Sequence, residues 1–424
     1  MTIEQLYQLF LKHPSVETDT RKLKQGDIFF ALSGPNFNGN QFALQALAAG
    51  ASYVVVDENI NEHNDKIIKV DHALSTLQDL AKYHRRHFNI PVIAITGSNG
   101  KTTTKELVNA VLATHLICYT TQGNLNNHIG IPLTLLRIQK DAEIAVIEMG
   151  ANHQGEIAGY CDYVQPTHGI ITNCGKAHLE GFGGVEGVRK GKGELFDYMR
   201  QNNGMAFIFN DFEYLQEMAS GIDQFNYGTE NAEVIGLTKS QDSFLNVAIA
   251  APFKAEILTR LVGDYNLPNV LCAVAIGVHF GVPHHKIKQA IEAYEPGNSR
   301  SQMVIKGTNH IILDAYNANP SSMVLAIENL ANIKAENKVI LIGAMMELGS
   351  ESQQEHQNII DTLQKHPWQQ VVLVGGDFAK LKHPFLYFDT SQQAAAWYGL
   401  QHFHNTYQLI KGSRSMQMEK VLQE

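Results

Sequence analysis

The segment Ile93-Ala94-Ile95-Thr96-Gly97-Ser98-Asn99-Gly100-Lys101-Thr102-Thr103-Thr104 constrains this chain more than any other. An apolar run ends in a glycine-bearing turn, and Lys-Thr then opens a helical stretch reaching about Ala113. Glycines let backbone N–H groups converge on phosphate oxygens. The helix start adds the positive end of its dipole. Lys101 is placed to neutralise the terminal phosphates, and the Thr102 hydroxyl to ligate Mg²⁺. The spacing departs from the general phosphate-loop pattern. The glycine expected five positions before Gly100 is Ile95, and the first glycine is Gly97, so the loop is shorter. Strand, turn, Lys-Thr and helix together still favour ATP or GTP binding over a purely structural turn. The candidate nucleotide-binding residues are Gly97, Ser98, Asn99, Gly100, Lys101, Thr102 and Thr103.

A loop of this kind belongs at the edge of an α/β sheet. Residues 53–57, 91–96, 144–149, 168–173, 310–314, 338–343, 370–375 and 407–411 are apolar runs separated by helical stretches. Continuous rather than alternating apolar strands imply a parallel sheet covered on both faces, hence an α/β fold. At about 150 residues per domain, a chain of 424 residues suggests three domains. We expect them at 1–88, 89–296 and 297–424, the second boundary at the turn-forming cluster Glu295-Pro296-Gly297-Asn298. The helical stretch 74–88 carries His84-Arg85-Arg86-His87, which reads as a solvated basic face. Lys+Arg number 33 against 42 Asp+Glu, a formal charge of −9, which argues against broad nucleic-acid binding. The start lacks a leader pattern, and no apolar run is long enough for a transmembrane helix. Cys118, Cys161, Cys174 and Cys272 are widely spaced, as free thiols in a reducing compartment would be. The expectation is a cytoplasmic protein without membrane insertion or nucleic-acid partner.

Two further residues stand where chemistry is done. Glu148 closes the run 144–147, at the sheet edge where α/β folds bind ligands, and carboxylate oxygens suit Mg²⁺. A capping or salt-bridged Glu is the alternative. His178 follows the run 168–173 in a Gly-rich loop and reads either as a ligand or as a structural histidine.

Taken in order, these motifs resemble one family. Thr-Gly-Ser-Asn-Gly-Lys-Thr-Thr at 96–103 resembles the nucleotide loop of the Mur ligases, ATP-dependent amide-forming enzymes of peptidoglycan precursor synthesis. Gly-Asn-Leu-Asn-Asn-His-Ile-Gly-Ile-Pro at 123–132, Ile-Glu-Met-Gly-Ala-Asn-His-Gln-Gly-Glu-Ile at 147–157 and Ala-His-Leu-Glu-Gly-Phe-Gly at 177–183 resemble the branch that adds D-alanyl-D-alanine. Asp-Ala-Tyr-Asn-Ala-Asn-Pro at 314–320 and Lys-Gly-Ser-Arg-Ser-Met at 411–416 continue the likeness, which covers essentially the whole chain. The nucleotide loop is shared more widely, folylpolyglutamate synthetases included.

The resemblance implies an N-terminal UDP-substrate domain, a central ATP-binding domain with a parallel sheet, and a Rossmann-like C-terminal ligase domain. It implies that ATP phosphorylates the carboxylate of a UDP-MurNAc-tripeptide and that D-Ala-D-Ala attacks the acyl phosphate, giving the pentapeptide. Lys101 would hold phosphates, Thr102 and Glu148 a first Mg²⁺, and His178 a second. The segment Val188–Phe196 resembles the one carrying a carbamylated, metal-binding lysine, with Lys192 the match and Lys190 the competitor. Gly263-Asp264-Tyr265-Asn266-Leu267-Pro268-Asn269 resembles the ATP-contacting segment through Asn266 and Asn269, with Tyr265 where the family commonly has His. The Asn pair could equally cap the helix after it. Arg300 and Asp314 match residues that reach the nucleotide from the C-terminal domain on closure. Thr20, Arg21, Asn124, Asn126 and Asn127 match substrate-binding positions, Thr20 replacing a frequent Ser. Phe37-Asn38-Gly39-Asn40-Gln41-Phe42 departs from the usual acidic, His-containing version, and Ala344 replaces a frequent aspartate whose role Glu347 could take. The chain is expected to act as a monomer. The competing readings are the ligase adding the third amino acid, a folylpolyglutamate synthetase, and a non-catalytic nucleotide-binding relative. The first lacks an Asp-Asn-Pro-Arg-type segment. The second does not explain the N-terminal region. The third must explain the retention of Lys101, Thr102, Glu148, His178, Lys192 and Arg300.

Overall fold

The computed structural model describes residues 1–62, 64–240, 244–297 and 299–423. Every apolar run singled out above forms a strand. The described strands assemble into three main sheets. The first is parallel, in the order Val16–Glu17, Ile28–Phe30, Tyr53–Val56, Ile67–Lys69. Its residues alternate between two apolar layers. Ile28 and Phe30 pack with Leu6, Phe10 and Leu77 of the helices Ile3–Lys12 and Ala73–Arg85. Phe29, Val54 and Val56 pack with Ala43 and Ala46 of the helix Ala43–Ala48.

The second sheet carries the phosphate loop. Val92–Thr96 lies between Ile144–Glu148 and His168–Ile171, and all its residues are buried. Parallel strands extend outward on both sides, to Cys118–Thr120 at one edge and through Met205–Phe209 and Asp223–Gly228 to Val234–Ser240 at the other. Beyond Val234–Ser240 the sheet departs from the all-parallel expectation, because Asn246–Ala251 and Ala255–Leu258 pair antiparallel. Their pattern explains this. Val247 and Ile249 are buried while Asn246 and Ala248 are only half-buried, the alternation of a sheet with one wet face. The third sheet runs Gln302–Lys306, Asn309–Asp314, Tyr407–Lys411, Lys338–Gly343, Gln370–Val374, Leu386–Phe388, and its first pair is antiparallel. Asn298, part of the expected boundary turn, lies outside the described residues.

The reading of 84–87 as a solvated face needs correction. His84 and Arg85 are buried. His84 Nε2 lies 2.8 Å from the Ile138 carbonyl. Arg85 donates from Nε to Val164 O (3.0 Å), from Nη1 to Phe88 O (2.6 Å) and from Nη2 to Gln165 O (3.1 Å). Carbonyls at the end of the helix Glu156–Val164 lack intrahelical donors, and a guanidinium supplies several at once. Only Arg86 and His87 are exposed. The basic cluster therefore fastens the first sheet's layer to the second. All four cysteines are free thiols. Among the described residues, no helix is long and apolar enough to cross a membrane.

Candidate active site

The phosphate loop takes its shape from close packing. Gly97 sits at φ +140°, where a Cβ would fall 2.0 Å from Thr172 Oγ1, and Gly100 at φ +81°, where one would fall 2.7 Å from Asn269 Oδ1. Polar bonds hold the chain between them. Asn173 accepts from Ser98 N through its carbonyl (2.9 Å) and from Asn99 N through Oδ1 (3.0 Å). Thr172 Oγ1 donates to Asn99 O at 2.6 Å. The helix Lys101–Leu112 begins without a side-chain cap, so its first N–H groups are left for a ligand.

Lys101 folds back on its own loop, donating to Gly97 O (2.6 Å) and Ser98 O (3.1 Å). Burial pulls its ammonium down to about 8, with the Glu148 carboxylate opposing and Arg300 adding to the shift. Glu148 is buried. Its Oε1 accepts from Thr102 Oγ1 (3.1 Å) and Asn126 Nδ2 (2.7 Å). Its Oε2 is buried without a partner among the described residues. An unpaired buried carboxylate oxygen is costly, and a hard cation beside Thr102 would satisfy it. These residues therefore fit Mg²⁺.

Asn269 and Asn266 form a brace. Thr104 Oγ1 donates to Asn269 Oδ1 (3.0 Å), Asn269 Nδ2 to Asn266 Oδ1 (2.8 Å), and Asn266 Nδ2 to Val262 O (2.9 Å). Asn266, at the N-cap of Leu267–His279, makes no side-chain cap bond, so the capping alternative does not hold for it. Tyr265 turns its hydroxyl to Ser301 Oγ, 3.0 Å away, tying this segment to the one that carries Arg300.

Lys192 lies in the helix Val185–Gln201 and is 1 % exposed. Its Nζ donates to Ala151 O at 2.9 Å and lies 4.8 Å from the centre of the Phe182 ring. Burial, reinforced by the nearby Lys101 charge, brings it down to about 7. Lys190, the competing position, is exposed.

The third sheet supplies the facing wall of a cleft of about 870 Å³, well within the range of ligand sites. Arg300 lies with its guanidinium carbon 3.5 Å from the centre of the Tyr316 ring. Asp314 accepts from Ser301 N (3.0 Å) and pairs with buried Lys411 (2.5 Å). Asn319 caps the helix Pro320–Asn332 through Oδ1 and donates from Nδ2 to Asn99 Oδ1 at 2.7 Å. His178, at φ +52°, has its Nδ1 2.5 Å from Glu347 Oε2. That contact holds the Glu347 carboxyl below its usual range. Ala344 is buried, with its carbonyl taking Ser413 N, so Glu347 is the carboxylate this loop presents to His178.

Ser98, Asn99, Gly100, Lys101, Thr102 and Thr103 line the cleft, as do Asn126, Asn127, Glu148, His178, Asn266, Asn269, Arg300 and Asp314. Gly97 and Lys192 support its lining from behind through Lys101 and Ala151. Asn127 spends its side-chain carbonyl on Ile129 N and Gly130 N. Asn124 is exposed and outside the lining. Half-buried Thr20 and exposed Arg21, in the first sheet's layer, also lie outside it, and Arg21 pairs with Asp19. The candidate set had missed Tyr316, Asn319, Lys411 and the Lys176–Glu355 pair (2.5 Å). The first three sit in the quoted motifs at 314–320 and 411–416, whereas nothing local marks Lys176 and Glu355.

Comparison with known proteins agrees with this geometry. Family models match residues 14–85 (Mur ligase family, catalytic domain), 95–277 (Mur ligase middle domain) and 299–414 (Mur ligase, glutamate ligase domain). UDP-N-acetylmuramoyl-tripeptide--D-alanyl-D-alanine ligase of Bacillus subtilis is 35% identical over 79% of this chain and 74% of its own. The Escherichia coli enzyme of the same name is 35% identical over 85% and 81%. A crystal structure of MurF from Acinetobacter baumannii superposes with a TM-score of 0.89 at 31% identity, covering 99% of this chain and 97% of that one. MurF from Thermotoga maritima in complex with ADP gives 0.86 at 26%, covering 97% of each. The chain belongs to the Mur ligase family.

Proposed function

We propose that the protein is the ATP-dependent ligase that joins D-Ala-D-Ala to UDP-MurNAc-tripeptide, giving UDP-MurNAc-pentapeptide for peptidoglycan synthesis. The observation that carries the reading is the buried, unpartnered Glu148 Oε2 beside Thr102 and Lys101, in a cleft walled by a second domain. That arrangement suits a phosphate-bound cation and a reaction shielded from water. In the reaction, a carboxylate oxygen of the tripeptide attacks the γ-phosphorus and ADP leaves. The dipeptide amine then attacks the acyl carbon, phosphate leaves, and the nitrogen loses a proton. Lys101 neutralises charge on the transferred phosphoryl group, and Arg300 adds charge from the facing wall. Asn266 and Asn269 keep the loop in register. Thr102 and Glu148 would hold one Mg²⁺ and His178 a second, and bound cations would offset phosphate charge. Lys192 is the residue we assign to carbamylation. It is buried behind cleft-lining Ala151, and an amine near 7 is neutral enough to add CO₂. Thr20, Arg21, Asn124, Asn126 and Asn127 are assigned to the UDP-linked substrate, and the domain limits 1–88, 89–296 and 297–424 are kept. A monomeric state is kept as an assignment, and dependence on ATP supports the cytoplasm.

The deciding assay is ATP-dependent phosphate release with UDP-MurNAc-tripeptide, with and without D-Ala-D-Ala, with product mass measured. Dipeptide-dependent release and a pentapeptide mass are expected. Glutamate-dependent release on a folate would favour the folylpolyglutamate reading, and bound ATP without release a non-catalytic relative.

A further inference from the structure

A second groove, about 330 Å³, opens beside the cleft between the helices Ala73–Arg85 and Glu156–Val164. His128, Glu156 and Tyr160 line both, so the two are continuous. Nothing in the reaction above uses it. Its lining holds three carboxylates, Asp79, Glu156 and Asp162, with Lys82 and His128, and Glu156 Oε2 is taken by Asn152 N and His153 N. Lys82 Nζ donates to both Asp162 oxygens, at 2.7 and 2.6 Å. That pair is partly solvent-exposed, and exposed pairs add little net stability, so a ligand can take either partner. Tyr163 also lines the groove. It is 6 % exposed, and its hydroxyl is buried without a partner among the described residues.

We propose that this groove receives the side-chain end of the tripeptide's third residue and selects an end carrying both an amine and a carboxylate over one carrying an amine alone. This inference rests on the ligase reading. With the activated carboxylate at Lys101 and Glu148, the route from cleft to groove for the side chain of the same residue is the shared wall of His128, Glu156 and Tyr160. Its carboxylate replaces Asp162 on Lys82, its ammonium goes to Asp162 and Asp79, and the Tyr163 hydroxyl gains a partner. A bare amine can engage the carboxylates only by leaving Lys82 without its counter-charge. Selection by such a mismatch is a known route to specificity. A diaminopimelyl residue has the matching zwitterion, and a lysyl residue does not.

The test compares kcat/KM of the full chain, with Mg-ATP and D-Ala-D-Ala, for UDP-MurNAc-tripeptides ending in meso-diaminopimelate and in L-lysine. We expect the diaminopimelyl substrate to be favoured about tenfold or more, as for bonds to charged groups. Lys82→Met should collapse that ratio, raising KM for the diaminopimelyl substrate more than for the lysyl one, while Lys82→Arg keeps it. Equal kcat/KM in the unmodified protein overturns the proposal. So does a Lys82→Met variant that lowers both alike, since a residue that only braces two helices would not move the ratio. If Lys82→Met does not fold, exposed Asp79→Asn takes its place. It should weaken both amine-bearing substrates severalfold, and no change in either counts against the groove. Failure of both tripeptides to turn over would instead reject the ligase reading, and calorimetric binding of the two would still decide whether the groove discriminates.

Discussion

The floor of the cleft and its facing wall are held in place by different kinds of contact. The floor comes from the second sheet with the helices and loops at its edge, and its polar groups are buried or half-buried and bonded to one another: Thr104 to Asn269 to Asn266, Thr172 to Asn99, and Asn126 and Thr102 to Glu148. The wall meets that floor through Asn319 on Asn99, Tyr265 on Ser301, Lys176 on Glu355 and His178 on Glu347. In the two ion pairs one partner stays wet, Lys176 at 43% and Glu347 at 51% side-chain exposure. Buried networks are costly to break because each loss strands a polar atom. Contacts with a wet partner cost little, since water replaces them. The difference suggests a floor fixed before the nucleotide arrives and a wall that can separate to admit substrate.

Changes to the floor should therefore be severe and purely chemical. Lys101→Ala is expected to lower kcat by about a thousandfold, the scale for losing a group aimed at developing charge. The melting temperature should hold or rise, because burial already disfavours the Lys101 cation. Retained turnover would sink the phosphate-cradle assignment. Glu148→Gln keeps the shape and removes the charge that Oε2 offers. Ligation should fall about a hundredfold and need more Mg²⁺, a shift read directly from a Mg²⁺ titration.

Lys192→Ala asks whether the floor includes a modified residue. We expect a loss of about a hundredfold, as for a group that orients a metal site, with bicarbonate or short carboxylates restoring part of it. The pH dependence has a definite sign. The amine is held down near 7 by burial and by Lys101, so above that value it is neutral and can add CO₂, and below it is charged and cannot. Activity of the unmodified protein should fall as pH drops through about 7 and respond most to added bicarbonate there. A carbon-13 carbamate signal is the direct readout, and full activity in Lys192→Ala removes the idea.

The same contrast separates what could be read from sequence from what could not. The floor was legible because its parts are contiguous. Residues 96–104 spell strand, turn and helix, and Glu148 ends an apolar run. Even so, the reason for Gly100 lies far away in Asn269. The wall pairs residues from separate segments, so no local pattern links His178 to Glu347 or Lys176 to Glu355. Arg85 misled for a related reason. Its charge reads as solvated until the carbonyls of Val164 and Gln165 are seen to need donors. The antiparallel strands beyond Val234–Ser240 were missed because their alternating pattern is short.

Lys176→Met is the mildest probe and the one most able to break the comparison. Lys176 Nζ lies 2.5 Å from Glu355 Oε1, and its backbone N donates to Ser321 Oγ at 2.9 Å. Met keeps the backbone bond and much of the packing, and removes only the charge. Glu355 is buried but retains Asn358 Nδ2 at 3.2 Å, so it is not wholly stranded. A half-exposed pair is worth about 1 kcal/mol or less. If the wall closes through several such contacts, losing one should raise KM for ATP or dipeptide by about fivefold at most, since 1.4 kcal/mol is tenfold, and leave kcat nearly unchanged. Raising salt should produce much of the same effect in the unmodified protein and little more in the variant. A kcat loss approaching that of Lys101→Ala would mean that Lys176 acts on the reacting groups, and that wall and floor form one rigid site.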